Sequence, residues 1–301
     1  MSREIRALDS AHGRDWTMYR GDCVEVVRQL PACSVDLSVY SPPFSDLFIY
    51  SESDRDMGNS GSDEEFMEHY GHLLRELFRV VRPGRMCAVH VSDLPARKSK
   101  EGFIGLRDFS GDVIRAHVAA GFHYHSRITV WKDPVTEMQR TKAHGLLWKN
   151  IREDSTRNRV GMPDYVLIFK RPPMTSAEEA MASKVGHTAE EFPVTQWQEW
   201  ASPVWMDIDQ GDTLNVRIAR DDKDEKHMCP LQLPLIHRLL VLYSNPREVV
   251  LSPFGGVGSE GVQSLRDGRR FVGVELKESY FNRARKNLIA EEGIEQVSMF
   301  G

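Results

Sequence analysis

The chain has 301 residues, enough for one large domain or two small ones with a substantial core. Its 39 Lys and Arg against 44 Asp and Glu give a formal net charge of -5, which excludes a histone-like polycation. Taken alone, that total also speaks against a phosphate-rich partner. No apolar run approaches the roughly 18 residues of a membrane span, and MSREIRALDSAHGRDW lacks the apolar stretch of a signal peptide. The expectation is a cytoplasmic protein without membrane contact. Cys23, Cys33, Cys87 and Cys229 form no CxxC pair and no zinc spacing, which fits reduced thiols and no metal.

In chain order, WTMYRGD (16–22) reads as a strand closing on a Gly-Asp turn, and VEVVRQL as a short helix ended by Pro31. VDLSVY (35–40) is a β-rich run broken abruptly by Ser41-Pro42-Pro43-Phe44. Residues 45–62, rich in Ser, Asp and Gly, read as a loop, followed by an amphipathic helix through Val81. The spacing predicts a strand over 86–92, a loop over 93–107, a helix over 109–120 and a strand over 122–131. Residues 132–163 show no clean periodicity. DYVLIFK (164–170) is a strand, and 171–229 reads as irregular, its Trp197, Trp200 and Trp205 as a packed cap. A helix over 230–244, a strand over 248–252, a Gly-rich turn, a helix, the strand RRFVGVEL and a final helix through about 292 complete the chain. This alternation predicts a mostly parallel α/β sheet.

Two motifs carry chemistry. In EVVLSPFGGVGSEGVQSL, Gly255, Gly256 and Gly258 let backbone approach a ligand, and the helix starting near Ser259 offers free N–H groups to an anion. Glu275, 17 residues after Gly258, ends the next strand, where a carboxylate suits ribose hydroxyls. No Gly-Lys-Ser/Thr follows, which excludes a Walker loop. The second motif is Ser41-Pro42-Pro43-Phe44. Its prolines stiffen the backbone, and they leave preceding carbonyls free at a strand's carboxyl end. Ser41 adds a hydroxyl and Phe44 a flat apolar face.

Together and in this order, SPPF and SPFGGVG resemble the amino-group DNA methyltransferases, in the circularly permuted class called beta. That family's catalytic tetrapeptide is Asp, Asn or Ser, then Pro-Pro, then an aromatic residue; its cofactor motif is commonly Asp-Pro-Phe-x-Gly-x-Gly. The opening block GDCVEVVRQLPACSVDLSVYSPPF is similar to the family's, as are the closing blocks KHMCPLQLPLIHRLLVLYSNPREVVLSPFGGVGSEG and GRRFVGVELKESYFNRARKNL. The resemblance implies a Rossmann-like, circularly permuted α/β fold with an inserted target-recognition region. It implies S-adenosyl-L-methionine as cofactor, double-stranded DNA as partner, a homodimer as an option, and a bacterial or phage-infected cell as setting. Ser41 and the Pro42 carbonyl would hold the amino group of a flipped base, with Pro43 stiffening the turn and Phe44 stacking on the base. Asp22 would reach the adenosyl group, Glu275 the ribose, and Lys226 and His227 the methionyl end. Phe254, Gly255, Gly256, Gly258 and Ser259 would form the cradle. Ser252 replaces the usual Asp, removing an acidic group that would help hold the cofactor. Ser41 as the first letter favours cytosine N4, with adenine N6 as the alternative.

The expected division is 1–131 (catalytic part), 132–163 (basic target-recognition insert), 164–229 (a strand plus an irregular acidic region) and 230–301 (cofactor-binding part). Residues 127–171 hold ten Lys or Arg against five acids, a net of +5, while 172–225 hold four against twelve, a net of -8. Arg140, Lys142, Lys149, Arg152, Arg157 and Arg159 are the candidates for DNA contact. Trp148 is expected to pack in the core. Rival readings are methylation of RNA or of a protein glutamine, and a catalytically weak DNA-binding relative, for which Ser252 is the motive. A nicotinamide oxidoreductase leaves SPPF unexplained.

Overall fold

The computed structural model describes residues 5–43, 62–96, 102–103, 105–141, 147–214 and 230–300. The elements are β1 (Asp9–His12), β2 (Trp16–Arg20), α1 (Cys23–Gln29), β3 (Val35–Tyr40), α2 (Asp63–Val80), β4 (Val81–Val91), β5 (Leu94–Ala96), β6 (Gly105–Arg107), α3 (Phe109–Ala119) and β7 (His123–Val130). There follow α4 (Pro134–Thr141), α5 (Trp148–Glu153), β8 (Asp164–Lys170), α6 (Ser176–Met181), α7 (Val194–Trp200) and β9 (Val204–Trp205). The last five are α8 (Leu233–Tyr243), β10 (Val249–Ser252), α9 (Ser259–Arg266), β11 (Arg270–Glu275) and α10 (Glu278–Phe300).

Among the described residues one nine-stranded sheet runs β1-β2-β11-β10-β3-β4-β8-β7-β9. Strands β2, β11, β10, β3 and β4 are mutually parallel, whereas β8 runs antiparallel to both β4 and β7. Every residue of β3 is buried, as expected of a central parallel strand covered on both faces. Helices α1, α2 and α3 cover one face and α8, α9 and α10 the other. Helix α2 does so through Phe66, Tyr70, Leu73, Leu74 and Leu77, a stripe at helical spacing, and Ser62 caps it by accepting from the Glu65 N–H at 3.2 Å.

The structure corrects several expectations. The strand expected at 86–92 starts at Val81, because Pro83 biases its predecessor to extended backbone, so the helix hands over directly to the strand. The expected loop 93–107 contains the short antiparallel pair β5–β6, and the aperiodic 132–163 holds α4 and α5. Within the expected irregular region lie α6, α7 and β9, and β9 pairs in parallel with β7 at the sheet edge. The final helix runs to Phe300.

Helix α9 sits so deep that Ser259–Leu265 are all buried. Gly261 allows this: a Cβ there would stand 2.6 Å from Phe271 and 2.7 Å from Leu288. Beside it, burial pushes the Glu260 carboxyl up to about 8, and the charge of Glu275 adds to the rise. Gly261→Ala should therefore destabilise the fold by about 1–3 kcal/mol, read as a lower denaturation midpoint at unchanged slope. The unfolded chain ionises Glu260 in the ordinary carboxylate range and the folded chain only near pH 8. Its stabilising contribution is thus full in acid and lost as pH rises through that window. Glu260→Gln should match the parent near about pH 4 and exceed its stability by a few kcal/mol at about pH 9, as pH-resolved urea titrations would show.

Candidate active site

The crossover from β3 through α2 leads to β4 on one side, and that from β10 through α9 leads to β11 on the other. Adjacent parallel strands β10 and β3 thus send their connections in opposite directions. A crevice opens at their carboxyl ends, the place where open α/β sheets bind ligands. The Ser41-Pro42 turn leaves β3 there, and the Pro253-Phe254 turn leaves β10 there. The two touch through the Tyr40 and Phe254 rings, whose centroids are 5.8 Å apart.

On the β10 side the glycine turn is tightly held. The Gly255 N–H donates to the Val274 carbonyl at 2.7 Å, and a Cβ on Gly255 would strike Met18 at 2.6 Å. Gly258, with φ +89°, caps α9. Gly256, with φ +50°, faces open space within 4 Å of where a Cβ would lie. Its N–H donates to Glu275 at 2.9 Å, and that carboxylate also accepts from the Lys277 N–H at 2.8 Å. The hydroxyls of Ser252 and Ser259 are buried without a hydrogen-bond partner. One strand further, the Gly21 N–H donates to the Glu275 carbonyl at 3.0 Å, which seats the β2 turn beside that of β11. A cleft lined by Arg6, Ala7, Leu8, Gly21, Asp22, Glu25 and Val26 opens there. One Asp22 oxygen is occupied, because it caps α1 by accepting from the Glu25 N–H at 2.8 Å.

Asp22, Glu275 and the Gly255–Ser259 turn therefore stand at the ends of three neighbouring strands. This set fits S-adenosylmethionine. Glu275 offers a carboxylate suited to ribose hydroxyls, α9 offers its N-terminus to a carboxylate, and two orphaned hydroxyls lie beside an open glycine backbone. Lys226 and His227 lie outside the described residues.

On the β3 side, Ser41 is half-buried and Pro42 buried. The Ser41 hydroxyl donates to the His90 carbonyl at 3.1 Å, and its oxygen lies 3.2 Å from His90 Nδ1. Nε2 of His90 stands 3.1 Å from Asp164 Oδ2, at ion-pair distance though off the line of a hydrogen bond. The other Asp164 oxygen pairs with the Lys132 ammonium. Burial alone would raise the Asp164 carboxyl; the charges and hydrogen bonds of His90 and Lys132 outweigh it and hold the group down at about 2. Below Ser41, the Tyr40 hydroxyl lies 2.8 Å from that of Tyr70 and 3.2 Å from His117 Nε2. His117 Nδ1 in turn lies 2.8 Å from the Val113 carbonyl, and the ring stacks on Phe169 at 3.8 Å. This strut fixes the end of β3. Burial lowers His117 to about 3, so it is neutral at physiological pH. Phe44 lies outside the described residues.

Sequence reasoning missed His90, Asp164 and Lys132. The one local signal was a histidine within the apolar run MCAVHVS. Their meeting depends on the β4–β8 and β7–β8 pairings, where His90 faces Val166 and Val130 faces Asp164.

The basic insert is mixed. Arg152 is exposed, and exposed Lys149 pairs with Glu153 at 3.4 Å, a weak surface pair. Arg159 is instead mostly buried, donating to Glu137 at 2.8 Å, while the other Glu137 oxygen accepts from the Met162 N–H. It works as an internal clamp rather than as an open phosphate contact. Arg140 lies in α4 and Arg157 in a 3₁₀ turn (Ser155–Arg157), with side chains beyond the description, and Lys142 is outside the described residues. Trp148 overturns the expectation of core packing: it is 71% exposed, because α5 buries none of its residues. Trp200 and Trp205 do pack, with the Arg238 guanidinium over both rings, whereas Trp197 is exposed.

The family model for DNA methylases, the N6/N4 group, matches residues 35–286. The chain is similar to the DNA adenine methyltransferase YhdJ of Escherichia coli, 23% identical over 278 residues that cover 90% of this chain and 82% of that protein. Its fold is similar to TTHA0409 of Thermus thermophilus, described as a DNA modification methylase and solved in complex with S-adenosyl-L-methionine. The TM-score is 0.63 at 22% identity, covering 91% of this chain and 95% of the other. It is also similar to the cytosine-N4-specific PvuII DNA methyltransferase, with a TM-score of 0.62 at 17% identity, covering 94% and 91%. No helix among the described residues is long and apolar enough to cross a membrane. A match over most of the chain, with both motifs converging on one crevice, makes this chain a member of the N6/N4 DNA methylase family, an S-adenosylmethionine-dependent DNA amino-methyltransferase.

Proposed function

We propose that this protein methylates the exocyclic nitrogen of a base flipped out of duplex DNA, cytosine N4 ahead of adenine N6. The observation that carries this reading is the convergence of the Ser41-Pro42 turn and the Gly255–Ser259 turn on the β10/β3 crevice. S-adenosylmethionine, when bound, supplies an electrophilic methyl group. The chain's own residues position its partner: Ser41 and the Pro42 carbonyl accept from the amino group and aim its lone pair, and Phe44 stacks on the base. Asp22, Glu275, Phe254, Gly255, Gly256, Gly258 and Ser259 hold the donor, with Lys226 and His227 at its methionyl end. Residues 1–131 and 230–301 are the catalytic and cofactor-binding parts. Residues 132–163 meet DNA through Arg140, Lys142, Lys149, Arg152 and Arg157.

The preference for cytosine rests on Ser41: a neutral hydroxyl stands where a carboxylate could accept two amino protons. The PvuII enzyme, similar in fold, is described as cytosine-N4-specific. Adenine is the second reading because YhdJ, similar in sequence, is named for adenine. Incubation with DNA and labelled S-adenosylmethionine, followed by digestion to nucleosides, should place the label on N4-methylcytosine. Label on N6-methyladenine would correct the base, and no label would support a DNA-binding relative without activity. Ser41→Ala should lower transfer about 10²-fold while leaving cofactor binding intact; unchanged transfer would remove Ser41 from the reaction. Arg152→Ala should reduce the steepness of log K against log salt by about 1, and an unchanged slope would take Arg152 out of the DNA interface.

A further inference from the structure

Ser41 meets a hydrogen-bonding problem at its place in the crevice. To accept an amino N–H, its oxygen must have lone pairs to spare, so its own proton needs a separate acceptor. The structure supplies two from one residue, the carbonyl and the Nδ1 of His90, at 3.1 and 3.2 Å. The far side of the same ring meets Asp164 at 3.1 Å. A carboxylate at Nε2 favours the tautomer with its proton on Nε2 and leaves Nδ1 as the acceptor facing Ser41. Asp164 also holds Lys132, so its charge is shared between two cationic partners rather than given wholly to the imidazole. The three residues come from β4, the start of β8 and the end of β7, rigid parts of the sheet, and Asp164 is buried.

Resting on the proposed methyl transfer, we propose that His90 is the proton acceptor for that reaction, working through Ser41, with Asp164 as its positioning residue. The amino nitrogen forms a bond to the methyl carbon as the carbon–sulfur bond breaks, and the bonding pair leaves with sulfur as a neutral thioether. The nitrogen is then cationic and must lose a proton. It passes that proton to the Ser41 oxygen as the Ser41 proton moves to His90 Nδ1, and the imidazolium formed faces the Asp164 carboxylate. Charge is conserved, and no other co-reactant enters. General-base assistance of this kind contributes about 10²-fold or more.

The test is the pH dependence of single-turnover transfer, with DNA and S-adenosylmethionine affinities measured in parallel. The unsubstituted enzyme should gain rate with pH as one group titrates. Asp164→Asn should move that midpoint to lower pH, because the imidazolium loses its counter-charge. Lys132→Met should move it to higher pH, because Asp164 then serves His90 alone. His90→Asn should lose about 10²-fold in rate and the pH dependence with it, at unchanged affinities. The midpoint shifts of opposite sign keep the test decisive should His90→Asn fold poorly. An active His90→Asn enzyme with the parental pH profile, or midpoints that do not move in the two neighbours, would overturn the relay while leaving the methyltransferase reading intact. No transfer by the unsubstituted enzyme on any DNA would instead overturn that reading, and the catalytic role of His90 with it. An activity-independent readout is the His90 ring resonance in an NMR titration, which should shift its midpoint in the same two directions.

Discussion

The architecture turns on one topological constraint, the reversal of crossover direction between β10 and β3. A right-handed crossover from each strand places its helix on a fixed face, so two neighbouring parallel strands whose crossovers lead apart must carry their helices on opposite faces. The turns leaving them cannot be roofed by a helix, and a crevice remains at their carboxyl ends. What occupies the crevice depends on the two turns. One is a proline turn whose end is fixed from below by the Tyr40, Tyr70 and His117 strut; the other is a glycine turn wedged against Met18 and Val274. Both are held by packing beneath them, which leaves their upper surfaces for ligands.

The two sides of the crevice use different physics. The cofactor side is made of backbone: N–H groups at the head of α9, an open Gly256, and a carboxylate already bound to two N–H groups. Side-chain size is excluded there because close approach is what the site offers. The base side is made of side chains whose protons are ordered by a buried chain from Ser41 to Lys132. A carboxylate held at about 2 stays charged across all working pH, so the variable element in that chain is the imidazole between it and the serine.

Much of this was legible in the sequence because the informative features are local. The apolar run VDLSVY, the two prolines after it and the three glycines after EVVLS each dictate their own backbone, and the structure places them as a chain-order reading expects. What was hidden depends on pairing between distant segments. His90 and Asp164 are 74 residues apart and meet only because β8 runs antiparallel beside β4. The two-residue β9 has no periodicity to detect and exists because Trp205 is buried against the sheet edge. Trp148 misled through its hydrophobicity: it lies on a helix too short to bury a face. Charge was misleading as a total and informative as a distribution, although Arg159 shows that part of the basic block is spent on internal pairing.

The central claim is that donor and acceptor meet between the Gly255–Ser259 turn and the Ser41-Pro42 turn. A crystal structure of the protein with a non-reactive S-adenosylmethionine analogue and a DNA duplex tests it most directly. The account predicts the target amino nitrogen within hydrogen-bond distance of Ser41, and about 3–3.5 Å from the atom that replaces the methyl. A cofactor analogue seated away from the glycine turn, or a flipped base with its amino group turned from Ser41, would contradict it.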